Sequence, residues 1–218
     1  MFEGVIFDLD GTLLDSLEDI ANAANEVLAE FGREPQPVDR YRTLVGDGVA
    51  VLMERLMPET SQDIAMRKAC MDSFSRHYEQ HWNKRSKPYE GIMDLLNSLS
   101  SRAFPMAVLS NKPEAFTKRC VSWFFPEVSF SVVVGHSERF PKKPDPASSQ
   151  WIAQTLGISA GCIAYVGDTN TDMKTAVEAG FFAMGVSWGF RTRDELIDSG
   201  ARVVFDHPAE LLSALVTN

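Results

Sequence analysis

Short apolar runs alternate with amphipathic stretches over most of the chain, and this alternation predicts its fold. The first run, residues 4–8, is β-branched and aromatic and is soon followed by Gly11, which is typical of a short buried strand. From residue 89 onward such runs alternate with stretches of helical periodicity, and strands are predicted over 106–109, 130–134, 163–166, 182–186 and 202–205. Strands joined by helical crossovers lie parallel in one sheet. The sequence therefore predicts an α/β fold with a doubly wound, Rossmann-like parallel sheet.

A purely helical pattern over residues 16–84 interrupts this alternation. Apolar side chains recur at helical spacing over 17–31, and further helices are predicted over 38–44, 49–57 and 61–82. Because the first strand belongs with the later ones in a single sheet, the helical segment is an insertion. The sequence predicts two domains: an α/β core of residues 1–15 and 85–218, and an all-helical domain of residues 16–84 after the first strand.

Charge and hydropathy narrow the range of partners. No apolar run approaches the roughly 20 residues that cross a bilayer, and Glu3 interrupts the N-terminal segment, unlike a signal peptide. We therefore expect a cytoplasmic protein with no membrane partner. The net charge of −9 disfavours nucleic acid as a partner, because that binding depends on clustered lysines and arginines. A small phosphorylated ligand fits if a bound cation supplies local positive charge.

The three cysteines, Cys70, Cys120 and Cys162, are odd in number and far apart. This spacing argues against a disulfide framework and against a Cys-x-x-Cys metal site. Each cysteine is interpreted as a small buried hydrophobe.

Two carboxylates, Asp8 and Asp10, stand at the end of the first predicted strand. Open α/β sheets bind their ligands at the carboxyl ends of strands. Side chains two residues apart on an extended chain point the same way, so this pair can act on one group as nucleophile and as acid/base. A solvated turn is the alternative, since Asp and Gly are common turn formers.

A second acidic pair, Asp168 and Asp172, follows another apolar strand in the same way. Carboxylates about 4 Å apart repel each other by roughly 4 kcal/mol at an effective dielectric constant of 20. A cation relieves that repulsion, and ligands that are all oxygen favour Mg²⁺. Capping of the following helix is the alternative role of these residues.

Ser110 and Asn111 come directly after the predicted strand 106–109, and Lys143 lies in a proline-flanked loop before a helix. Hydroxyl and backbone N–H groups ahead of a helix can hold an anion. The alternatives are a plain helix cap for the Ser-Asn pair and a surface position for the lysine.

In their order along the chain these segments resemble the motifs of the haloacid dehalogenase superfamily, in its phosphatase branch. The motifs are Asp-x-Asp-Gly-Thr at 8–12, an apolar strand ending in Ser110, Lys143 before Pro144, and Gly-Asp-x-x-x-Asp at 167–172. The resemblance covers nearly the whole chain, because residues 16–84 look like the superfamily's helical cap domain. The segments 45–49, 88–91, 143–146 and 185–189 look like the phosphoglycolate phosphatase group.

The resemblance implies a mechanism and assigns each residue a role. Asp8 attacks phosphorus and becomes an aspartyl phosphate, while Asp10 protonates the leaving oxygen and later deprotonates water. Ser110, Asn111 and Lys143 bind the phosphoryl group, and the cap loop Gly46-Asp47-Gly48 meets the substrate. The implied Mg²⁺ ligands are the Asp8 side chain, the Asp10 carbonyl and the Asp168 side chain, with Asp172 acting directly or through water. With one lysine against four carboxylates, we expect phosphate to enter only with the metal bound.

Other reactions of the superfamily stay open to different degrees. Asp10 argues against dehalogenation, and the absence of lysine from residues 17–67 argues against phosphonate cleavage through a Schiff base. A sugar-phosphate mutase is the main alternative, although residues 13–30 lack the histidine expected of one. Inorganic pyrophosphate hydrolysis and a binding module without turnover are further alternatives. The expected substrate is a small phosphorylated metabolite, and the protein is expected to be a monomer or a homodimer.

Overall fold

Six parallel strands form the main sheet of the protein, whose computed structural model describes residues 1–216. The strands along the chain are β1 (Gly4–Phe7), β2 (Leu14–Asp15), β3 (Lys87–Pro88), β4 (Met106–Pro113), β5 (Val132–His136), β6 (Ile163–Gly167), β7 (Phe182–Val186) and β8 (Val203–Phe205). The main sheet has the order β5-β4-β1-β6-β7-β8, and β2 pairs only with β3. Every neighbouring pair in the main sheet is parallel, which confirms the predicted fold class.

Ten α-helices accompany these strands in the described chain. They are α1 (Leu17–Glu30), α2 (Tyr41–Leu44), α3 (Val49–Leu56), α4 (Ile64–His81), α5 (Ile92–Ser101), α6 (Glu114–Phe124), α7 (Ala147–Leu156), α8 (Asn170–Ala179), α9 (Arg193–Asp198) and α10 (Pro208–Val216). Short 3-10 segments occupy Val38–Arg40, Pro58–Ser61 and Ala160–Cys162. Among these residues no helix is both long enough and apolar enough to cross a membrane.

Contacts divide the chain into two units, each with its own packing. The core unit contains residues 1–14 and 88–216 of the described chain, and the helical unit contains residues 15–87. In the helical unit α1 and α3 pack against α4. The sequence places the division at 15/16 and 84/85, whereas the units divide at 14/15 and 87/88, within β2 and β3.

The centre of the core unit is a continuous apolar cluster on the sheet. Strand residues in it include Ile6, Ala107, Tyr165 and Ala183, all buried, and helices α7, α8 and α9 cover them with apolar side chains such as Ile152, Met173 and Leu196. Strands buried in this way are apolar at consecutive positions, which is why the short apolar runs identified them. β1 lies at the middle of the sheet, where Phe7 pairs with both Val108 and Val166.

Several element boundaries and one cysteine differ from the sequence-based prediction, and two of the boundaries have a clear structural cause. β4 continues to Pro113 beyond an irregularity in its pairing with β5, so Ser110 and Asn111 lie inside the strand. α4 begins at Ile64 because Asp63 caps it, accepting a bond of 2.9 Å from the Met66 N–H. Cys70 and Cys120 are buried as predicted, but Cys162 is only half-buried.

A buried carboxylate in α1 fixes the segment through which the chain leaves the helical unit. Asp19 is 1% exposed and accepts bonds from the Arg85 N–H at 3.0 Å, the Ser86 N–H at 2.8 Å and the Ser86 hydroxyl at 2.7 Å. It is the acceptor for the two buried donors of Ser86 and for the partly buried N–H of Arg85. Asp19 therefore holds the end of the inserted segment to its beginning.

We predict that Asp19→Ala destabilises the protein by about 2–4 kcal/mol, because it strands these donors in a buried position. Glu18→Ala is the matched control, since Glu18 is half exposed and its contact with Arg85 is long, at 3.4 Å. The control is expected to change stability by less than about 0.5 kcal/mol. Urea unfolding of the two variants measures the difference, and equal effects would contradict the role given to Asp19.

Candidate active site

The carboxyl ends of three neighbouring strands bring together the acidic segments and the lysine loop. Asp8 follows β1 directly, and its N–H donates to the Val166 carbonyl of β6 at 2.9 Å. Asp168 follows β6, while Leu109 and Ser110 belong to β4 on the other side of β1. The parallel register therefore gathers these residues at one edge of the sheet, as the sequence predicts.

Lys143 lies at the centre of this edge and its side chain is only 2% exposed. Its ammonium nitrogen is 2.9 Å from Asp8 Oδ1, 2.7 Å from Asp172 Oδ1 and 3.2 Å from the Leu109 carbonyl. An ammonium group has three N–H donors. Each of them therefore has an acceptor, namely Asp8 after β1, Asp172 at the start of α8, or the Leu109 carbonyl in β4.

Three buried carboxylates, those of Asp8, Asp168 and Asp172, form the acidic cluster. One oxygen of each lies within 4.8 Å of the others. Asp168 is oriented by two donors, the Thr12 hydroxyl to Oδ1 at 2.8 Å and the Phe190 N–H to Oδ2 at 2.8 Å. The oxygen set matches the ligands that hard divalent cations bind in proteins.

Asp172 differs from its two neighbours because each of its oxygens accepts from two donors. Oδ2 accepts from the Thr169 N–H at 3.1 Å and the Thr169 hydroxyl at 2.6 Å, forming the capping box at the start of α8. Oδ1 accepts from Lys143, and the buried Tyr165 hydroxyl lies 3.4 Å away. Asp172 thus both caps a helix and orients the lysine.

The charges of the cluster are not balanced by the protein alone. Burial, and then the Asp172 charge, raise the pKa of Asp8 to about 7, although Lys143 opposes the shift. Burial, followed by the charges of Asp172 and Asp8, raises the pKa of Asp168 well above its ordinary value. Burial acts to lower the pKa of Lys143, but Asp172 and Asp8 outweigh it and raise that pKa. The residues therefore fit a divalent cation, which removes the repulsion that keeps protons on the carboxyl groups.

Two glycines make room for Asp168. A Cβ at Gly11, which has a φ of +87°, would lie 2.2 Å from Asp168 Oδ2. A Cβ at Gly189 would lie 2.3 Å from Asp168 Cβ and 2.4 Å from the Gly11 carbonyl oxygen. The glycine of the Asp-x-Asp-Gly motif is thus required by close packing against a carboxylate, beyond its role in the turn.

Asp10 has a lysine partner of its own, which the sequence analysis missed. The Lys112 ammonium nitrogen lies 3.0 Å from Asp10 Oδ1 and 2.9 Å from Oδ2, and the lysine side chain is 6% exposed. The expectation of a single lysine among the carboxylates is therefore wrong. The signal was present in Ser110-Asn111-Lys112, but a lysine near a predicted strand end is usually a surface residue.

Ser110 and Asn111 lie at the same edge and are buried. The Ser110 hydroxyl accepts from the Lys112 N–H at 3.3 Å. The Asn111 amide accepts from the Lys143 N–H at 2.9 Å and donates to the Lys143 carbonyl at 3.2 Å, so it fixes the backbone of the lysine loop. Phosphate binding by these two residues stays a prediction.

The predicted substrate loop, Gly46-Asp47-Gly48, belongs to the helical unit. Asp47 Oδ2 lies 2.5 Å from an Arg55 guanidinium nitrogen, and the same arginine donates to the Leu44 carbonyl at 2.8 Å. Both glycines have positive φ, of 116° and 87°. The loop therefore has a defined turn closed by an ion pair, and its contact with substrate stays a prediction.

A parallel sheet with an acidic cluster and a buried lysine at its carboxyl edge is the framework of a phosphatase. The chain belongs to the haloacid dehalogenase-like hydrolase family, whose family model matches residues 5–186. This confirms the superfamily and the phosphatase class that the motifs indicate.

Similar proteins support the same grouping. The chain is 30% identical over 223 residues to a phosphoglycolate phosphatase of Photobacterium profundum, covering 98% of this chain and 97% of the relative. It is 31% identical over 191 residues to that of Neisseria meningitidis, covering 86% and 81%. A crystal structure of a provisionally assigned phosphoglycolate phosphatase from Lactobacillus delbrueckii subsp. bulgaricus superposes with a TM-score of 0.92 at 26% identity, covering 100% and 99%.

Gly189→Ala is predicted to weaken binding of a divalent cation about 10- to 100-fold, because the new methyl group displaces Asp168. The control is Gly161→Ala, where a Cβ meets nothing within 4 Å. The measurement is the rise in melting temperature during a Mg²⁺ titration, which does not depend on turnover. Equal Mg²⁺ dependence of the two variants would contradict this packing role.

Asp8→Asn is predicted to be more stable than the wild type at pH 7.5 in chelator. The pKa of Asp8 rises from 3.8 to about 7 on folding. The stability that the protonated carboxyl group gives the folded state is therefore present at low pH and is lost as pH rises through 7. The penalty for ionising it reaches up to about 4 kcal/mol, and asparagine avoids it. Urea unfolding at pH 7.5 and pH 5 is the test, since the advantage of the variant must shrink at the lower pH. An advantage independent of pH would refute the shift.

Proposed function

We propose that this protein is a Mg²⁺-dependent phosphomonoester hydrolase that works through an aspartyl-phosphate intermediate on Asp8. The observation that carries the proposal is the placement of Asp8 in a buried group with two further carboxylates, Asp168 and Asp172, and with Lys143. This group combines a nucleophile, ligands for a cation and a fixed positive charge, which are the parts that phosphoryl transfer needs.

Asp8 is arranged for attack through one of its oxygens. Oδ1 accepts from Lys143 at 2.9 Å and from the Leu9 N–H at 2.7 Å. Within residues 1–216, Oδ2 accepts no hydrogen bond. We assign Oδ2 as the atom that forms the bond to phosphorus while the ester P–O bond breaks.

Asp10 is assigned the proton transfers. It gives a proton to the leaving ester oxygen in the first step and takes one from the water that cleaves the aspartyl phosphate in the second. One carboxyl group therefore ends each catalytic cycle in its starting protonation state. The products are an alcohol and inorganic phosphate.

The residues assigned to Mg²⁺ are the side chains of Asp8 and Asp168 and the carbonyl of Asp10. When bound, the cation supplies positive charge that neutralises the phosphoryl oxygens and the carboxylates together. Asp172 is assigned an indirect role, because each of its oxygens accepts from two donors, whereas within the described chain each oxygen of Asp168 accepts from only one. The motif alone leaves direct and indirect action of Asp172 open, and these contacts favour indirect action.

Lys143 and Ser110 are assigned to the phosphoryl oxygens, with Asn111 holding the lysine loop in place. All three donors of Lys143 already have acceptors in the protein. Binding of phosphate therefore requires Lys143 to exchange one of these acceptors for a phosphoryl oxygen. The Leu109 carbonyl, at 3.2 Å the longest of the three contacts, is the one we expect to be released.

The proposed substrate class is a small phosphorylated acid such as phosphoglycolate. The support is that relatives covering almost the whole chain carry the name phosphoglycolate phosphatase. Contact of the loop Gly46-Asp47-Gly48 with this substrate, a cytoplasmic location and a monomeric or homodimeric state stay predictions. Sugar-phosphate isomerisation and pyrophosphate hydrolysis are the competing activities.

We expect Asp8→Asn to abolish phosphate release, since an amide cannot replace the carboxylate as nucleophile. Phosphate release from a panel of esters, including phosphoglycolate, sugar phosphates and pyrophosphate, is measured with Mg²⁺ and with chelator. Asp94→Asn is the control, because it removes the same charge from an exposed position in α5. Acid quenching followed by mass spectrometry of the peptides locates the trapped phosphate, which is expected on Asp8.

The proposal fails if the wild type hydrolyses no ester with Mg²⁺, or if Asp8→Asn retains turnover. In the first case, conversion of sugar phosphates into their isomers tests the mutase alternative. If the wild type does hydrolyse esters with Mg²⁺, the identity of the best ester defines the substrate class.

A further inference from the structure

Lys112 is a buried cation that none of the steps above uses. Its side chain is 6% exposed and its ammonium nitrogen is within 3.0 Å of both oxygens of Asp10. Exposed ion pairs contribute little, but a pair at this depth has lost most of its hydration and is strongly coupled. The pair therefore has a defined geometry.

The protein fixes the backbone of Lys112 on both sides. Its N–H donates to the Ser110 hydroxyl at 3.3 Å, and its carbonyl accepts from the Thr117 hydroxyl at 3.0 Å. Thr117 is itself fully buried in α6, and its hydroxyl shares its one hydrogen with the Pro113 carbonyl at 3.1 Å. The main chain that carries the ammonium group is therefore held in place.

Asp10 needs such an anchor because it stands close to other negative charges. Its charge is among the causes that raise the pKa of Asp8, so the two carboxyl groups repel each other. A free carboxylate beside this cluster would rotate away from it toward solvent. Lys112 opposes that rotation by holding both oxygens of Asp10.

We propose that Lys112 is a positioning residue that holds the Asp10 carboxyl group where it transfers its proton to the leaving oxygen. The proposal rests on the proposed function, in which Asp10 is the acid. The proposal predicts that loss of Lys112 lowers activity most for substrates whose leaving oxygen needs that proton. An alkyl phosphate releases a strongly basic alkoxide and needs the proton, whereas p-nitrophenyl phosphate releases a stable phenolate and needs it far less.

The test compares kcat/KM for an alkyl phosphate and for p-nitrophenyl phosphate in wild type and Lys112→Met. This parameter reports the steps up to the first irreversible one, in which the ester bond breaks, and leaves the later hydrolysis out. Loss of a positive charge lowers both values by a shared factor. Loss of the positioned acid lowers the alkyl value further, so we expect the alkyl-to-aryl ratio to fall by about 10-fold or more.

Lys118→Met is the matched control, because Lys118 belongs to an exposed ion pair on α6 with its side chain 57% exposed. Its ratio is expected to equal that of the wild type. A ratio in Lys112→Met that falls by less than about 10-fold overturns the positioning role, since a purely structural or electrostatic function affects both substrates alike. If the wild type hydrolyses neither substrate, the proposed function itself fails, which is a distinguishable result.

A second comparison guards against misfolding of Lys112→Met, which leaves the Asp10 charge unpaired. Asp10→Asn and Asp10→Asn/Lys112→Met both lack that charge. If Lys112 acts through Asp10, adding Lys112→Met to Asp10→Asn leaves the alkyl-to-aryl ratio unchanged. A further fall of that ratio in the double variant overturns the proposal.

Discussion

The active edge of this phosphatase depends on the ion pairs of Lys143. A buried ammonium or carboxylate is strongly unfavourable alone and is tolerated when it is paired and fully hydrogen-bonded. Lys143 meets this condition for its own ammonium group with three contacts of 2.7–3.2 Å, and two of them pair it with Asp8 and Asp172. It thereby connects β1, β4 and the start of α8, so the geometry of the site and the packing of the sheet are set by the same contacts.

The remaining imbalance of charge is what makes the site useful. Lys143 offsets only part of the negative charge of Asp8, Asp168 and Asp172, and the pKa of Asp8 stays raised to about 7. A hydrophobic replacement of these groups would pack without that cost. The site instead keeps an excess of buried negative charge that a bound cation can balance, at some cost to the stability of the fold.

The sequence predicts the fold and most of the site for one physical reason. Strands buried on both faces are recognisable as apolar runs, and parallel strands bring the residues after their carboxyl ends to one edge, so Asp8, Asp168 and Lys143 are expected to meet. Lys112 is not expected there, because its strand continues past an irregularity to Pro113 and only the pairing with β5 shows this. Hydrogen-bond partners are equally invisible in a sequence, which is why the indirect role proposed for Asp172 rests on the structure.

Two lysines with separate partners also give the neighbouring carboxylates the different environments that their proposed roles require. Asp8 and Asp10 are two residues apart, and equal environments would give them equal chemistry. Asp8 shares Lys143 with Asp172 in a fully buried position, whereas Asp10 is paired with Lys112 and its side chain is 16% exposed. A nucleophile must keep an oxygen free and fixed, while an acid must exchange a proton with a leaving group or water. Lys112 in β4 and Lys143 in the loop before α7 therefore hold Asp10 and Asp8 in separate environments, one suited to each requirement.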